Sequence, residues 1–141
     1  MKIRVRRFDK DLPLPSYATK GAVALDCISR ADVSIPPRSV GYAPLNIALK
    51  PPRGNFVLMA ARSSLHKRGL MLANGIGIGD EDFAGDNDEY QAALYNFTDV
   101  PVEVKRGDRI VQIIVLPFDR VEWEEVNSHG GRDRGGFGST G

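Results

Sequence analysis

Between positions 74 and 85 the chain reads Asn-Gly-Ile-Gly-Ile-Gly-Asp-Glu-Asp-Phe-Ala-Gly, so three alternating glycines lead from Asn74 straight into the carboxylate of Asp80. Glycine in a period-two stretch removes side chains from a strand and marks close approach by a ligand or another backbone. Bare backbone, an amide and a carboxylate together are groups that can surround a small polar ligand. The plain alternative is a glycine-rich hairpin ending in a solvated acidic turn. A calcium loop does not fit: Asp80, Asp82, Gly85, Asp86 and Asp88 lack the flanking helices and the terminal bidentate Glu of an EF-hand.

Three further stretches carry chemistry-bearing residues. In Ala61-Arg62-Ser63-Ser64-Leu65 a guanidinium and two hydroxyls meet the start of a possible helix, a combination suited to phosphate oxygens. By local pattern alone, an ordinary N-cap beside a surface arginine is the simpler reading. Asp26 closes the small, apolar run Gly21-Ala22-Val23-Ala24-Leu25, where a structural aspartate is at least as good an account. The C-terminal residues GGRDRGGFGSTG place Arg132, Arg134, Phe137, Ser139 and Thr140 among glycines. They offer guanidinium forks, a stacking face and hydroxyls, so a nucleotide-closing lid competes with a solvated chain end.

The elements that must position these residues are short strands. Ile3 and Val5 alternate with basic residues, and Val100, Val102 and Val104 alternate with Pro101 and Glu103. Turn clusters at Pro36-Pro37-Arg38, Pro51-Pro52-Arg53-Gly54 and Arg106-Gly107-Asp108 separate such runs at spacings that suit an all-β sandwich or barrel. Arg109 to Leu116 is almost continuously apolar apart from Gln112 and reads as a central strand buried on both faces. The one helix expected is a turn or two: Ser63 or Ser64 caps it, Leu65, Lys67 and Arg68 form it, and Gly69 ends it.

A chain of 141 residues with 42% hydrophobic residues makes one domain with a core. Nineteen Lys and Arg against eighteen Asp and Glu give no one-sided charge, which argues against stable nucleic-acid binding or a membrane-surface role. Lone Cys27 excludes an intrachain disulfide, reads as a small buried hydrophobe, and fits a cytoplasmic location. No apolar run reaches membrane-spanning length. His66 and His129 have no metal-ligand partner at a plausible spacing and read as solvated.

In their order along the chain these pieces resemble the trimeric dUTP pyrophosphatase (dUTPase) family. Leu14 to Asp26 is similar to its first motif, Arg62-Ser63-Ser64-Leu65 to the second, and Asn74 to Gly85 to the third. Gly107 to Gln112 is similar to the fourth and Arg132 to Thr140 to the fifth. The resemblance implies an all-β, distorted jelly roll (β-clip) domain over 1–128 and a flexible, glycine-rich C-terminal lid over 129–141. It also implies a homotrimer in which that tail is swapped onto a neighbour's site, magnesium as cofactor, and hydrolysis of dUTP to dUMP and pyrophosphate by water attack on the α-phosphorus. Asp80 would be the general base. Asn74 and the backbone of Gly77, Ile78 and Gly79 would read the uracil edge, Phe83 would pack under the deoxyribose, and Gln91 would complete the substrate contacts. Arg62, Ser63, Ser64 and Gln112 would hold phosphates, and Asp26 would support a hydrated magnesium held mainly by those phosphates. From the tail, Phe137 and Gly138 would cover the base while Arg132 and Ser139 clamp the terminal phosphate.

Several positions depart from the family pattern. Phe83 replaces the usual tyrosine, Gly79 the usual branched residue before the aspartate, and Asp133 a tail glycine. An apparent insertion, Asp86-Asn87-Asp88, follows the third motif; a solvated turn is its default reading and an extra cation site the alternative. Two other functions stay open. One is a dCTP deaminase of the same fold, or a bifunctional dCTP/dUTP enzyme, although register from Asn96 puts Ala93 where the deaminase has its catalytic glutamate. The other is a nucleotide-binding regulatory protein on this fold.

Overall fold

The strand Arg109–Pro117 organises the molecule, because it is hydrogen-bonded on both edges. The computed structural model describes residues 1–138. In chain order the strands are β1 (Arg4–Arg7), β2 (Ser16–Tyr17), β3 (Leu25–Ile28), β4 (Val33–Ile35), β5 (Val40–Pro44), β6 (Ile47–Lys50), β7 (Asn55–Ala61), β8 (Leu70–Leu72), β9 (Gly77–Gly79), β10 (Gln91–Asn96), β11 (Val102–Val104) and β12 (Arg109–Pro117). All pairings are antiparallel, and the sheets run β2-β3-β12-β7-β9, β5-β10-β8, β1-β6 and β11-β4. The all-β, distorted jelly-roll expectation holds, with no α-helix among the described residues.

Period-two alternation builds the core. On β10, Ala92, Leu94 and Asn96 are buried while Gln91, Ala93 and Tyr95 turn the other way. On β12 the alternation breaks where Ile110 and Val111 are both fully buried, because the pairing with β3 shifts register between Arg109 and Val111. A bulge of this kind lets two successive side chains face inward. Both join Cys27, Ile35, Leu45, Ile47, Leu70, Leu94 and Ile113 in one apolar cluster. Burial, and then the Asp26 carboxylate, push the Cys27 thiol up to about 12, so it is inert packing at neutral pH.

The expected short helix is a single 3-10 turn, Leu65–Arg68, closed by Gly69 at a left-handed φ of 80°. Ser64 takes the N-cap position but makes no side-chain capping bond, and both Ser63 and Ser64 are exposed. Val100 lies outside the strand expected for it, since β11 begins at Val102. The Val100 carbonyl instead accepts from the Asn96 amide at 2.7 Å and the Thr98 hydroxyl at 2.9 Å, which turns the chain between β10 and β11. No helix of the described residues is long and apolar enough to cross a membrane.

The Asp86-Asn87-Asp88 insertion is a turn. Arg6 donates to the Asp86 carbonyl and to Asn87 Oδ1, and Asp88 Oδ2 accepts from the Gly85 amide at 2.7 Å. Among the described residues no group of three or more His, Cys, Asp or Glu is arranged to hold a metal.

The 3-10 turn is held to the start of β12 by Arg68, which pairs with Asp108 at 2.7 Å. Burial pushes the Asp108 carboxyl up, but the Lys105 amide and then the Arg68 guanidinium bring it to a net position below its usual value. A depressed carboxyl contributes stability that is fully present above the unfolded value of about 3.9 and is lost as pH falls through the folded value. Urea unfolding of the Asp108→Asn variant should therefore lose less stability below about pH 4 than the parent chain. Parallel curves for the two proteins would rule this pair out as a source of acid sensitivity.

Candidate functional site

The glycines before Asp80 are set by what lies behind them. β9 pairs with β7 through Met59 with Gly77, Leu58 with Ile78 and Val57 with Gly79. A Cβ on Gly77 would stand 3.1 Å from the Cβ of Met59, a tight approach. At Gly79 it would stand 2.2 Å from the Tyr90 hydroxyl and 2.6 Å from the ring, so no side chain fits there while Tyr90 stays. Gly79 is thus the complement of an aromatic ring filling the space a branched residue would take.

A cavity of about 480 Å³ opens beside this hairpin, lined by Asn74, Gly77, Ile78, Gly79, Asp80, Phe83 and Gln91 together with Tyr42, Met59, Glu89, Tyr90 and Ala93. The residues named above for the base, the sugar and the proton transfer all border it, except Phe137 and Gly138 of the tail. Asp80 is exposed at its mouth and also edges a second cavity with Arg53, Glu81, Asp82, Phe118 and Arg120. Its neighbour Glu81 is spoken for, accepting from the Gly54 amide at 3.1 Å and from Arg120 at 3.1 Å. Glu89 is likewise committed, to a two-pronged pair with Arg30 at 2.8 and 2.9 Å and to the Asn46 amide at 2.9 Å. That leaves Asp80 as the acid of this cavity whose carboxylate is exposed.

Tyr42 and Tyr90 are the residues that sequence reasoning missed. Tyr90 is 4% exposed, its ring meets Phe83 edge to face at 5.2 Å, and its hydroxyl has no hydrogen-bond partner among the described residues. Burial, then the Asp80 and Asp88 carboxylates, push its phenol up to about 12. The available signal was the missing branch at Gly79, which implies a bulky neighbour.

The phosphate-binding candidates gather elsewhere. Asp26 of β3 and Ala60 of β7 both pair with Gln112 of β12, so Asp26 and Gln112 lie side by side, with Arg62 just beyond the end of β7. Asp26 accepts from Arg62 Nε at 3.0 Å and from Arg109 at 3.4 Å, and Gln112 Nε2 donates to the Ala61 carbonyl at 2.9 Å. Continuing the β7–β9 register sets Asp80 opposite Phe56, six residues from Arg62. At a rise of about 3.3 Å per residue the two clusters are roughly 20 Å apart within one chain. Arg132 and Phe137 are exposed, and residues 118–138 form no strand or helix. Ser139 lies outside the described residues.

Fold and cavity define an all-β protein with a glycine-walled pocket and an exposed carboxylate, Asp80, at its mouth. The chain matches the dUTPase family model over residues 10–141, and it belongs to that family. It is 41% identical to the deoxyuridine 5'-triphosphate nucleotidohydrolase of Dictyoglomus turgidum, over all of this chain and 99% of that one. It is 36% identical to the protein of the same name from Anaplasma marginale, with the same coverage. Its fold is similar to that of the Staphylococcus bacteriophage 80alpha dUTPase with dUPNHPP, with TM-score 0.86, 19% identity, and 99% of this chain and 98% of that one covered. It also resembles a dUTPase from phage phi11 of S. aureus described with a structural Mg(II) ion, with TM-score 0.79, 17% identity, and coverage of 92% and 99%.

Asp26 is 8% exposed beside two guanidiniums, so loss of its charge leaves cations facing a neutral amide. Because Arg62 and Arg109 are partly solvated, the expected cost of Asp26→Asn is about 2 kcal/mol rather than the larger figure for a dry pair. Urea denaturation at equal protein concentration measures it, and an unchanged midpoint would mean the arginines are solvated well enough without it.

Proposed function

We propose that this protein hydrolyses dUTP to dUMP and pyrophosphate, with Asp80 as the general base. The observation that carries the reading is an exposed Asp80 at the mouth of a cavity walled by bare hairpin backbone. Peptide N–H and C=O groups of Gly77 to Gly79 can serve as a pairing edge for uracil, with Asn74 and Gln91 beside them. Cytosine presents the opposite donor and acceptor pattern and would leave buried groups unpaired. Phe83 supplies an apolar floor for the sugar and crowds a 2′-hydroxyl.

In the reaction Asp80 takes a proton from a water held in line with the α-phosphorus. The water oxygen bonds to phosphorus, the α–β bridging bond breaks, and pyrophosphate leaves with its electron pair. General-base help of this kind contributes on the order of 10²–10⁴ in rate, and alignment and charge neutralisation supply much of the remainder. Arg62, Ser63, Ser64 and Gln112 are the groups for the phosphates. From the tail, Phe137 and Gly138 would cover the uracil and Arg132 with Ser139 would hold the terminal phosphate.

The donor set fits magnesium bound mainly to substrate, since the described residues form no cage of three or more metal ligands. Bound there, magnesium would spread the triphosphate charge. Asp26 would support its water shell, a reading supported by a carboxylate whose direction Arg62 and Arg109 fix.

The separation of roughly 20 Å along β7 supports an assembly in which the phosphate cluster serving one Asp80 comes from a second copy, and the family resemblance makes that assembly a homotrimer. The tail fits the same arrangement. Val121 and Trp123, 68% and 93% exposed, alternate with Glu122 and Glu124 in a segment that pairs with no strand among the described residues. We take 1–128 as the domain and 129–141 as a lid swapped onto a neighbour. A free, buried Cys27 fits a cytoplasmic enzyme.

Ala93 lines the cavity where a deaminase of this fold would need a glutamate, and Glu89 is tied to Arg30. Pyrophosphate and ammonia release should be assayed with dUTP, UTP, dCTP and dTTP. Pyrophosphate from dUTP is expected with strong preference over UTP, and Asp80→Asn should lose about 10²–10⁴ in kcat. Ammonia from dCTP would promote the deaminase reading, and full activity in Asp80→Asn would overturn the mechanism.

A further inference from the structure

The Tyr90 hydroxyl is a buried polar group without a hydrogen-bond partner among the described residues, and it borders the cavity that holds Asp80. Leaving such a group unpaired is destabilising, so its presence asks for an explanation. Phenylalanine would fill the same space without that cost. The ring is also firmly placed: the Tyr90 amide donates to the Ile47 carbonyl and its carbonyl accepts from the Leu45 amide, both at 2.9 Å. The hydroxyl therefore stands at a fixed point against the backbone of Gly79, the residue immediately before Asp80.

Asp80 itself lies just outside the sheet and is exposed. It follows the last residue of β9 and begins a turn in which the Phe83 amide donates to the Asp80 carbonyl at 3.2 Å. A rigid donor below and an exposed carboxylate on the turn above are separated only by a residue with no side chain. We propose that Tyr90 is a positioning residue for the reaction, its hydroxyl donating to the Asp80 carboxylate when the hairpin settles on substrate, with Gly79 as the gap that permits the contact.

This rests on the reading of Asp80 as general base and names what orients it. The arrangement follows from three residues acting together. Phe83 has no hydroxyl of its own, Tyr90 packs against its ring edge, and any side chain at 79 would collide with the phenol. The charged groups around the phenol are Asp80 on the hairpin, Asp88 on the preceding turn and the Glu89–Arg30 pair. Asp88 is bonded to the Gly85 amide and Glu89 to Arg30 and the Asn46 amide. Asp80 is the acceptor still open. Burial and the two nearby aspartates keep the phenol protonated across the working pH range, so it is a donor there and not an anion. A donor to the ionised form of a carboxyl lowers its pKa and keeps the base charged at lower pH.

Removing the hydroxyl separates a positioning role from a packing one. Tyr90→Phe should lower kcat for dUTP roughly tenfold, with KM changed less than about twofold, and should move the acid limb of the kcat profile to higher pH. Its thermal midpoint should hold or rise, since an unpaired buried hydroxyl has gone. Gly79→Ala, which drives the phenol away, should shift the limb the same way, and Gly79→Ala/Tyr90→Phe should be less than additive. As a readout independent of turnover, the Asp80 carboxyl can be titrated by carbon NMR with and without α,β-imido-dUTP; with the analogue bound it should titrate at higher pH in Tyr90→Phe than in the parent. An unmoved acid limb and equal NMR titrations would overturn the proposal, as would a fall in kcat equal at every pH. Failure of the Asp80 reading would show separately, as full activity in Asp80→Asn.

Discussion

The ladder that joins β3, β12, β7 and β9 is the constraint on which the rest of the structure depends. Backbone pairing sets Asp26 and Ala60 on either side of Gln112, and Val57 opposite Gly79. Strand rise then sets the arginine cluster and Asp80 roughly 20 Å apart along β7. One sheet therefore carries both the glycine-walled cavity beside Asp80 and the cluster of Asp26, Arg62, Arg109 and Gln112, and keeps them apart.

Within the base pocket, packing and function pull in different directions. Gly77 and Gly79 weaken a strand intrinsically, yet the close approach of Met59 and Tyr90 requires them. The hairpin is compensated from outside by two ion pairs, Arg30 with Glu89 just before β10 and Arg120 with Glu81 beside Asp80, and by hydrogen bonds from Arg6 to the inserted turn. These pairs spend the nearby carboxylates on structure. They leave Asp80 as the exposed acid of the cavity, and the buried polar group left unsatisfied is a phenol directly behind it.

Much of the fold was legible because period-two alternation reports burial directly. The central strand through Gln112, the turn clusters and the brief helix after Ser64 all follow from local pattern and appear where the pattern puts them, to within a residue or two. Val100 misled because alternation cannot distinguish a strand from a turn whose carbonyl is captured by a nearby side chain, here Asn96 four residues earlier. Ser64 misled because cap propensity assumes an α-helical turn, whereas a four-residue 3-10 turn leaves its hydroxyl outside. The acidic insertion was ambiguous until Arg6, 80 residues away in sequence, was seen to hold it.

By itself the sequence determined which chemistry-bearing residues the chain owns, their order, and their likeness to the dUTPase family, because motifs are local and side-chain alternation is a property of neighbouring residues. Only the tertiary structure decided that Asp80 is an exposed acid while Glu81 and Glu89 are paired, that Tyr90 stands in the space left by Gly79, and that the phosphate candidates lie far from the base. Those outcomes depend on strand register and on contacts between residues far apart in the chain, and register is set by the packing of the whole sheet.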